Sequence, residues 1–438
     1  CKKASQDGKT VKILGYKWVC KDDLLSPGFS ELNFNKKSRG MRDPNEIRMD
    51  SVDNVDSVLA NTVLTRRIVI SKIAELYDPI GIWEPLKLQL KLDAVVLNGM
   101  NWDAKLPEDL QNHWKSKLKE FLDIPLLSVP RCVIPDNAAD PMSVRLLCFS
   151  DAAVAAGGAA IYASYKVSDS EYSCKLLTSK SKLMDGSIPR NELSAVLLMA
   201  ELAFLIKKPL GSMVTEVLYF TDSTIALSWC HNVNKKLRMF VFNRVSTIRR
   251  FIDWTTGQGE TIPLYHIPGP ENIADLLTKE HQIRTDSISK DSEWQNGKCW
   301  MKGDLKDMPI TQYSDLAVTE TEAKEISSEC FIELDPETEN PKKISKLTAF
   351  LCTSCDVKGK DVDTNTNPVS EHIPKEVTST AVFATRKSSL NTKPPISVIS
   401  IGWYKAVRQM TVLAKFVAWI VHKAHSRSKN HDVQLSLQ

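Results

Sequence analysis

The sequence has no run of 18 uncharged apolar residues, so no membrane-spanning helix is expected. The nearest candidate, Ile401 to Val421, is interrupted by Lys405, Arg408 and Lys415. An excess of one charge is also missing. The 57 basic and 53 acidic residues leave a net charge of +4 over 438 residues, so the global balance selects no partner and local charge must do so. Cysteine is too sparse for a disulfide scaffold. The ten, at 1, 20, 132, 148, 174, 230, 299, 330, 352 and 355, read as reduced thiols of an intracellular protein. Cys352-Thr353-Ser354-Cys355 is a lone CxxC without a second pair at zinc-finger spacing, and no zinc site is expected there. The first residue is Cys1, which reads as a processed end or the edge of a fragment.

What is present is ordinary globular usage, 42% hydrophobic and 25% charged. At about 150 residues per domain the length suggests roughly two or three domains. Residues 1–140 mix extended and helical runs. Val11 to Trp18 reads as a strand, and Leu64–Leu76, Leu86–Leu97 and Leu106–Leu122 as helices, with a break at Asp78-Pro79 and Gly81. Residues 144–279 are more regular and give the order βββαβααβα. The strands are Val144–Ala153, Ala159–Tyr165, Tyr172–Leu183, Val217–Phe220 and Ile262–Ile267. Pro189 suits the first turn of the helix that runs to about Lys208. This order predicts a mixed sheet with helices packed on it. From Asp315 to Asn340 nine acidic residues meet a single basic one, Lys324, and polar residues then dominate to Ser400. Residues 315–398 are therefore expected to be largely disordered. Trp403, Val407, Met410, Leu413, Val417 and Ile420 form an apolar helical stripe, read as a docking helix rather than a membrane-surface one.

Four carboxylates stand out. Asp151 ends the first strand of the regular region and Asp222 follows the short buried strand. Glu192 lies in the first turns of the first helix, and Asp275 opens the last. If the two strands ending Ser150-Asp151 and Thr221-Asp222 are neighbours, two acids share one sheet edge. Clustered carboxylates resist joint ionisation unless a cation neutralises them. Hard oxygen ligands suit Mg2+ or Mn2+, and a pair of such ions can clamp a phosphodiester displacement. Each acid taken alone reads first as a cap or turn residue. Between Asp222 and Asp253 lie six basic residues, Lys235, Lys236, Arg238, Arg244, Arg249 and Arg250, and no acidic ones. Such a stretch beside a metal–carboxylate centre suits a phosphate backbone, the alternative being a solvated helix face.

The blocks Phe149-Ser150-Asp151-Ala152-Ala153, Ile188-Pro189-Arg190-Asn191-Glu192-Leu193, Tyr219-Phe220-Thr221-Asp222-Ser223-Thr224 and His266-Ile267-Pro268-Gly269-Pro270-Glu271-Asn272-Ile273-Ala274-Asp275 resemble the four blocks of a retroelement ribonuclease H domain, in the version of BEL/Pao long-terminal-repeat retrotransposons. Tyr77-Asp78-Pro79-Ile80-Gly81 resembles the family's thumb and connection region, and Trp403 to His422 the helix before its integrase zinc-binding domain. Two places depart from the family pattern: Asn191 stands beside Glu192 where an apolar residue is usual, and Thr278-Lys279-Glu280 replaces Ser-Arg-Gly.

The resemblance implies an α/β fold: a ribonuclease H-like mixed sheet with flanking helices, preceded by a mainly helical reverse-transcriptase thumb and connection region and followed by a disordered linker. The implied divisions are 1–140 (reverse-transcriptase end), 141–285 (ribonuclease H-like domain), 286–314 (the segment after it), 315–398 (linker) and 399–425 (pre-integrase helix). It implies metal-dependent hydrolysis of RNA in RNA–DNA hybrids, with Asp151 bridging two Mg2+ ions, Mn2+ being possible. Glu192 and Asp222 complete one ion site and Asp275 the other, while His266 handles protons or product release. Lys235, Lys236, Arg238 and Arg244 would contact nucleic acid. The partners implied are the hybrid and the rest of Pol, namely the reverse transcriptase palm and integrase, with no membrane. The expected setting is the cytoplasm, in a virus-like particle. No Tyr/Phe-x-Asp-Asp occurs, so polymerase catalysis is not expected. No Asp-Thr-Gly or Asp-Ser-Gly supports the aspartic peptidase that this family's label suggests. The remaining alternative is a decayed or co-opted copy that binds nucleic acid without cutting it.

Overall fold

The computed structural model describes residues 10–13, 16–27, 59–76, 78–123, 128–135, 137–138, 143–232, 236–257, 262–279 and 285–330. The expectations for Lys235, for 331–398 with Cys352 and Cys355, and for the helix at 399–425 lie outside these residues.

The region expected to be mainly helical also builds a four-stranded antiparallel sheet. Thr10–Ile13 (β1) and Tyr16–Val19 (β2) pair as a hairpin where one strand was expected, followed by Leu24–Pro27 (β3) and Val129–Pro130 (β4). Three helices follow the apolar spacing: Arg66–Glu75 (α1), Glu84–Asp93 (α2) and Glu108–Asp123 (α3). Thr65 caps α1 by accepting from the Ile68 amide at 3.3 Å.

The regular region forms a five-stranded mixed sheet. Its strands are Val144–Ala152 (β5), Ala156–Lys166 (β6), Tyr172–Leu183 (β7), Val214–Thr221 (β8) and Leu264–His266 (β9), in the order β7-β6-β5-β8-β9. The pairs β5–β6 and β6–β7 are antiparallel, and β5–β8 and β8–β9 are parallel. Both faces of β5 are buried, which explains its strongly apolar run from Leu146 to Phe149. One face is covered by Ile188–Leu210 (α4), with Pro189 in its first turn as expected. Further helices are Thr224–His231 (α5), Met239–Thr256 (α6), Glu293–Asn296 (α7) and Glu320–Ser328 (α8). The last helix expected, at Asn272, is a 3-10 turn over Ile273–Leu277. At about 1.5–3 kcal/mol for each fully buried large apolar side chain, this core carries the fold.

Residues 315–330, expected to be disordered, contain α8. Composition undervalued two local devices. Thr319 and Glu322 form a capping box, and Ile326 supplies a buried anchor.

The loop before α2 joins the two sheets. Buried Asp78 accepts from the amides of Gly81, Ile82 and Trp83 at 3.0, 3.1 and 2.8 Å, and from the Tyr16 hydroxyl of β2. Burial pushes this carboxyl up, while Lys87 and the hydrogen bonds oppose the rise. The Ile80 carbonyl takes the Ser179 amide of β7 at 2.9 Å, extending the sheet edge. Gly81 makes the approach possible. Its φ is +81°, and a Cβ there would lie 1.9 Å from the Ser179 carbonyl oxygen. Beyond β9, fully buried Trp294 donates to the Ile82 carbonyl at 2.8 Å, and Tyr162 of β6 donates to the Trp294 carbonyl at 2.7 Å.

Gly81→Ala is expected to cost about 2–4 kcal/mol, combining a left-handed φ with a backbone clash. Chemical denaturation of the full chain measures this. A loss below about 1 kcal/mol would show that the loop does not join the sheets.

Candidate carboxylate site

The parallel register aligns Ser150 with Thr221, so Asp151 and Asp222 leave the sheet at the same end. Glu192 is the fifth residue of α4, which packs on β5 at that end. Asp275 sits in the 273–277 turn, which lies against β5 and β6. That turn comes close because residue 158, opposite Asp151, is glycine. A Cβ at Gly158 would stand 2.4 Å from the Leu277 Cβ. Asn272 ties the turn down. Its amide nitrogen donates to the Ser150 carbonyl at 2.9 Å, and its oxygen caps the turn at the Ala274 amide.

Three of the four acids take a donor from the chain nearby. Thr278 donates its hydroxyl to Asp151, and Ser223, the N-cap of α5, donates to Glu192. Lys279 pairs with Asp275 at 2.7 Å. Both departures from the family pattern are thus employed. Thr278 and Lys279 hold two of the acids. Buried Asn191 donates to the carbonyls of Ala153 and Val154 at 3.1 Å and accepts from the Gly186 amide, fastening the loop after β5 to the start of α4. Sequence reasoning did not assign roles to Asn191, Ser223, Asn272 or Thr278. An Asn or Ser before a helical run is a capping signal that could have found Ser223 and Asn272.

The acids feel one another. Burial pushes Glu192 up to about 7, and Asp222, Asp151 and Glu322 add to the rise against the Ser223 bond. Asp222 is pushed up to about 6 by burial, then by Asp151 and Asp275. Asp151 is raised by burial and by Asp275, against its bond to Thr278. His266 ends β9 in register with Thr221, and its backbone pairs with Thr311 in both directions at 2.9 Å. Burial lowers its pKa, although the Asp222 backbone and Glu322 pull the other way. Among the described residues no three His, Cys, Asp or Glu side chains already gather tightly enough to hold a metal ion.

The basic stretch divides. Lys236 and Arg238 are exposed. Arg244 stacks on Phe240 at 3.5 Å and donates to the Ser194 hydroxyl at 3.1 Å. Arg249 caps the end of α5 at the Cys230 and His231 carbonyls, a structural task.

Glu192 and Asp222 have folded pKa values above their unfolded ones, so the native state binds more protons. Their contribution to stability is therefore largest below about pH 4 and is lost as pH rises through about 6 to 7. Metal-free melting temperature should fall over that window, and Glu192→Gln should flatten the fall. Calorimetry in EDTA tests this, and identical pH profiles for the two proteins would contradict it.

Residues 65–223 match the family described as Pao retrotransposon-like RNaseH-like domain. The match includes Asp151, Glu192 and Asp222, while His266 and Asp275 lie beyond it. Among solved structures, the chain is similar to the crystal structure of RNase H1 from the halophilic archaeon Halobacterium salinarum NRC-1. Identity is 14%, coverage is 31% of this chain and 93% of that one, and the TM-score is 0.21. No curated protein matches. Among the described residues no helix is long and apolar enough to cross a membrane. Over residues 65–223 the chain is similar to the Pao retrotransposon-like family of RNase H-like domains.

Proposed function

We propose that this chain is a Pol polyprotein fragment whose RNase H-like domain hydrolyses the RNA strand of RNA–DNA hybrids. The supporting observation is that Asp151 and Asp222 leave the sheet at the same end, close enough to Asp275 for its charge to raise the proton affinity of both, and close enough to Glu192 to raise its own. Such a cluster is stable when ionised only if positive charge joins it. The donor set fits Mg2+ or Mn2+, since all four ligands are hard oxygens. Asp151 would serve two ions, Glu192 and Asp222 one of them, and Asp275 the other. When bound, the ions supply charge stabilisation to the attacking and leaving oxygens of a phosphodiester. The chain's own residues then do the rest. Thr278, Ser223 and Lys279 keep the acids oriented until they are exchanged. His266, whose proton affinity burial lowers, would accept a proton beside Asp222. Recognition would rest on hybrid shape and the 2′-hydroxyl rather than on base sequence. In the intact polyprotein the neighbours would be the reverse transcriptase palm and integrase.

One observation favours a second reading, a binding module without catalysis: Lys279 already neutralises Asp275. Magnesium-dependent cleavage of a labelled hybrid by the full chain separates the two. Absence of cleavage with hybrid binding retained selects the module.

Asp222→Asn should abolish cleavage, because the amide keeps the shape and loses the charge. The metal-free variant should gain stability of order 1 kcal/mol through reduced repulsion. Cleavage at the wild-type rate would sink the metal-dependent reading.

Lys235, Lys236 and Arg238 are proposed phosphate contacts. Each such contact gives a slope of roughly −0.7 to −0.9 in log affinity against log salt. Replacing all three by Gln should flatten that slope by about two units, equally for every hybrid sequence. Binding to the Asp222→Asn protein with Mg2+ present measures it, and an unmoved slope would remove this segment from the interface.

A further inference from the structure

The segment after the sheet returns to the carboxylate site. Thr311 pairs with the backbone of His266. Tyr313 then stacks on His231, with ring centroids 4.8 Å apart, and Asn232 donates to its hydroxyl at 3.0 Å. Helix α8 follows and packs on α5. Glu322 takes the hydroxyl of Thr224, which lies two residues after Asp222. Glu329 pairs with Arg190, which lies two residues before Glu192, at 2.6 Å. The Arg238 amide donates to the Glu329 carbonyl at 2.7 Å, and Leu237 and Cys330 form an antiparallel bridge. One acidic segment therefore holds a hydroxyl and a guanidinium on either side of the acids, and reaches the N-cap of the helix proposed to meet phosphates.

Two features make this hold exchangeable. Ile326 is the only buried residue of α8, so little apolar area fixes it. One carboxylate oxygen of Glu329 is buried without a hydrogen-bond partner, so the contact to Arg190 is not fully compensated. The groups it occupies, a threonine hydroxyl and an arginine, are ordinary phosphate donors.

We propose that residues 311–330 form an autoinhibitory strap, whose carboxylates occupy Thr224 and Arg190 until the phosphate backbone of a hybrid displaces them. The proposal rests on the RNA–DNA hybrid being the ligand of the domain. A chain that must first release the strap binds with an affinity lowered by the fraction that is open.

Two variants of the full-length Asp222→Asn protein, with Mg2+ present, test this by fluorescence anisotropy on a labelled RNA–DNA hybrid. The first is Glu322→Gln with Glu329→Gln. Gln at 322 preserves the capping box while its charge is lost. The second is Leu237→Cys, oxidised onto the native Cys330. Antiparallel partners lie roughly 4.5–5.5 Å apart, within disulfide range. The first should bind hybrid roughly three- to tenfold more tightly. The second, which changes no charge, should bind at least as much more weakly until dithiothreitol restores it. A tighter double variant with an unchanged locked form would be a bare charge effect and overturns the strap. Equal affinity in all three proteins overturns it too, leaving the hybrid reading intact. Failure of the parent and of both variants to bind hybrid overturns both.

Discussion

The parallel pairing of β5 with β8, in register from Arg145 and Glu216 to Ser150 and Thr221, obliges Asp151 and Asp222 to emerge at one end of the sheet. Neither can be moved away without sliding a strand that is buried on both faces, and a one-residue slip would turn its side chains over. Repulsion between the two is therefore built into the core. The elements added around it bring two more acids to the same end rather than diluting the charge. A purely structural cluster would be expected to spread such charges apart.

The fold tolerates this arrangement by giving the acids small donors from the next piece of chain. Ser223 caps α5 and holds Glu192, Thr278 closes the 273–277 turn and holds Asp151, and Lys279 lies one helical turn from Asp275. These donors are weak competitors for a divalent cation: two are neutral hydroxyls, and the ammonium is about half exposed. A buried arginine at any of these places would have made the neutralisation permanent.

The strands of the five-stranded sheet, and the places of Asp151 and Asp222 at strand ends, were legible because an apolar run met a polar residue there. Strand ends and helix starts announce themselves by such changes. Tyr172–Leu183 could be read to its last residue, since alternation and flanking turns bounded it on both sides. The pairing of β1 with β2 was not legible, because Val11 to Trp18 reads as one extended run. Helix α8 was hidden for another reason. Its capping box and its single apolar anchor lie in a stretch whose composition argues for disorder, and its docking depends on partners about 90 to 140 residues earlier, Thr224, Trp229 and Arg190. Asn191 was visible as an oddity beside Glu192. Its role was not, because that role is a set of backbone carbonyls that only the folded loop assembles.

The site also depends on chain far from it. Gln89 of α2 donates to the Lys279 carbonyl at 2.7 Å, bracing the end of the turn that carries Asp275 and Thr278. Helix α2 is held in turn by Glu84. Burial opposes that charge, but Lys87 and Lys91 outweigh it and keep the carboxyl at about 2, while Ser181 of β7 donates to it at 2.8 Å. The Asp78 cage holds the loop that leads into α2. Removing the helices before β5 would free the turn on its open side and bare the β7 edge that Ile80 covers. The family match begins at Thr65, the N-cap of α1, rather than at the first strand of the five-stranded sheet. Through Gln89 and Asp78 the helices ahead of the sheet help to hold the 273–277 turn and the β7 edge in place.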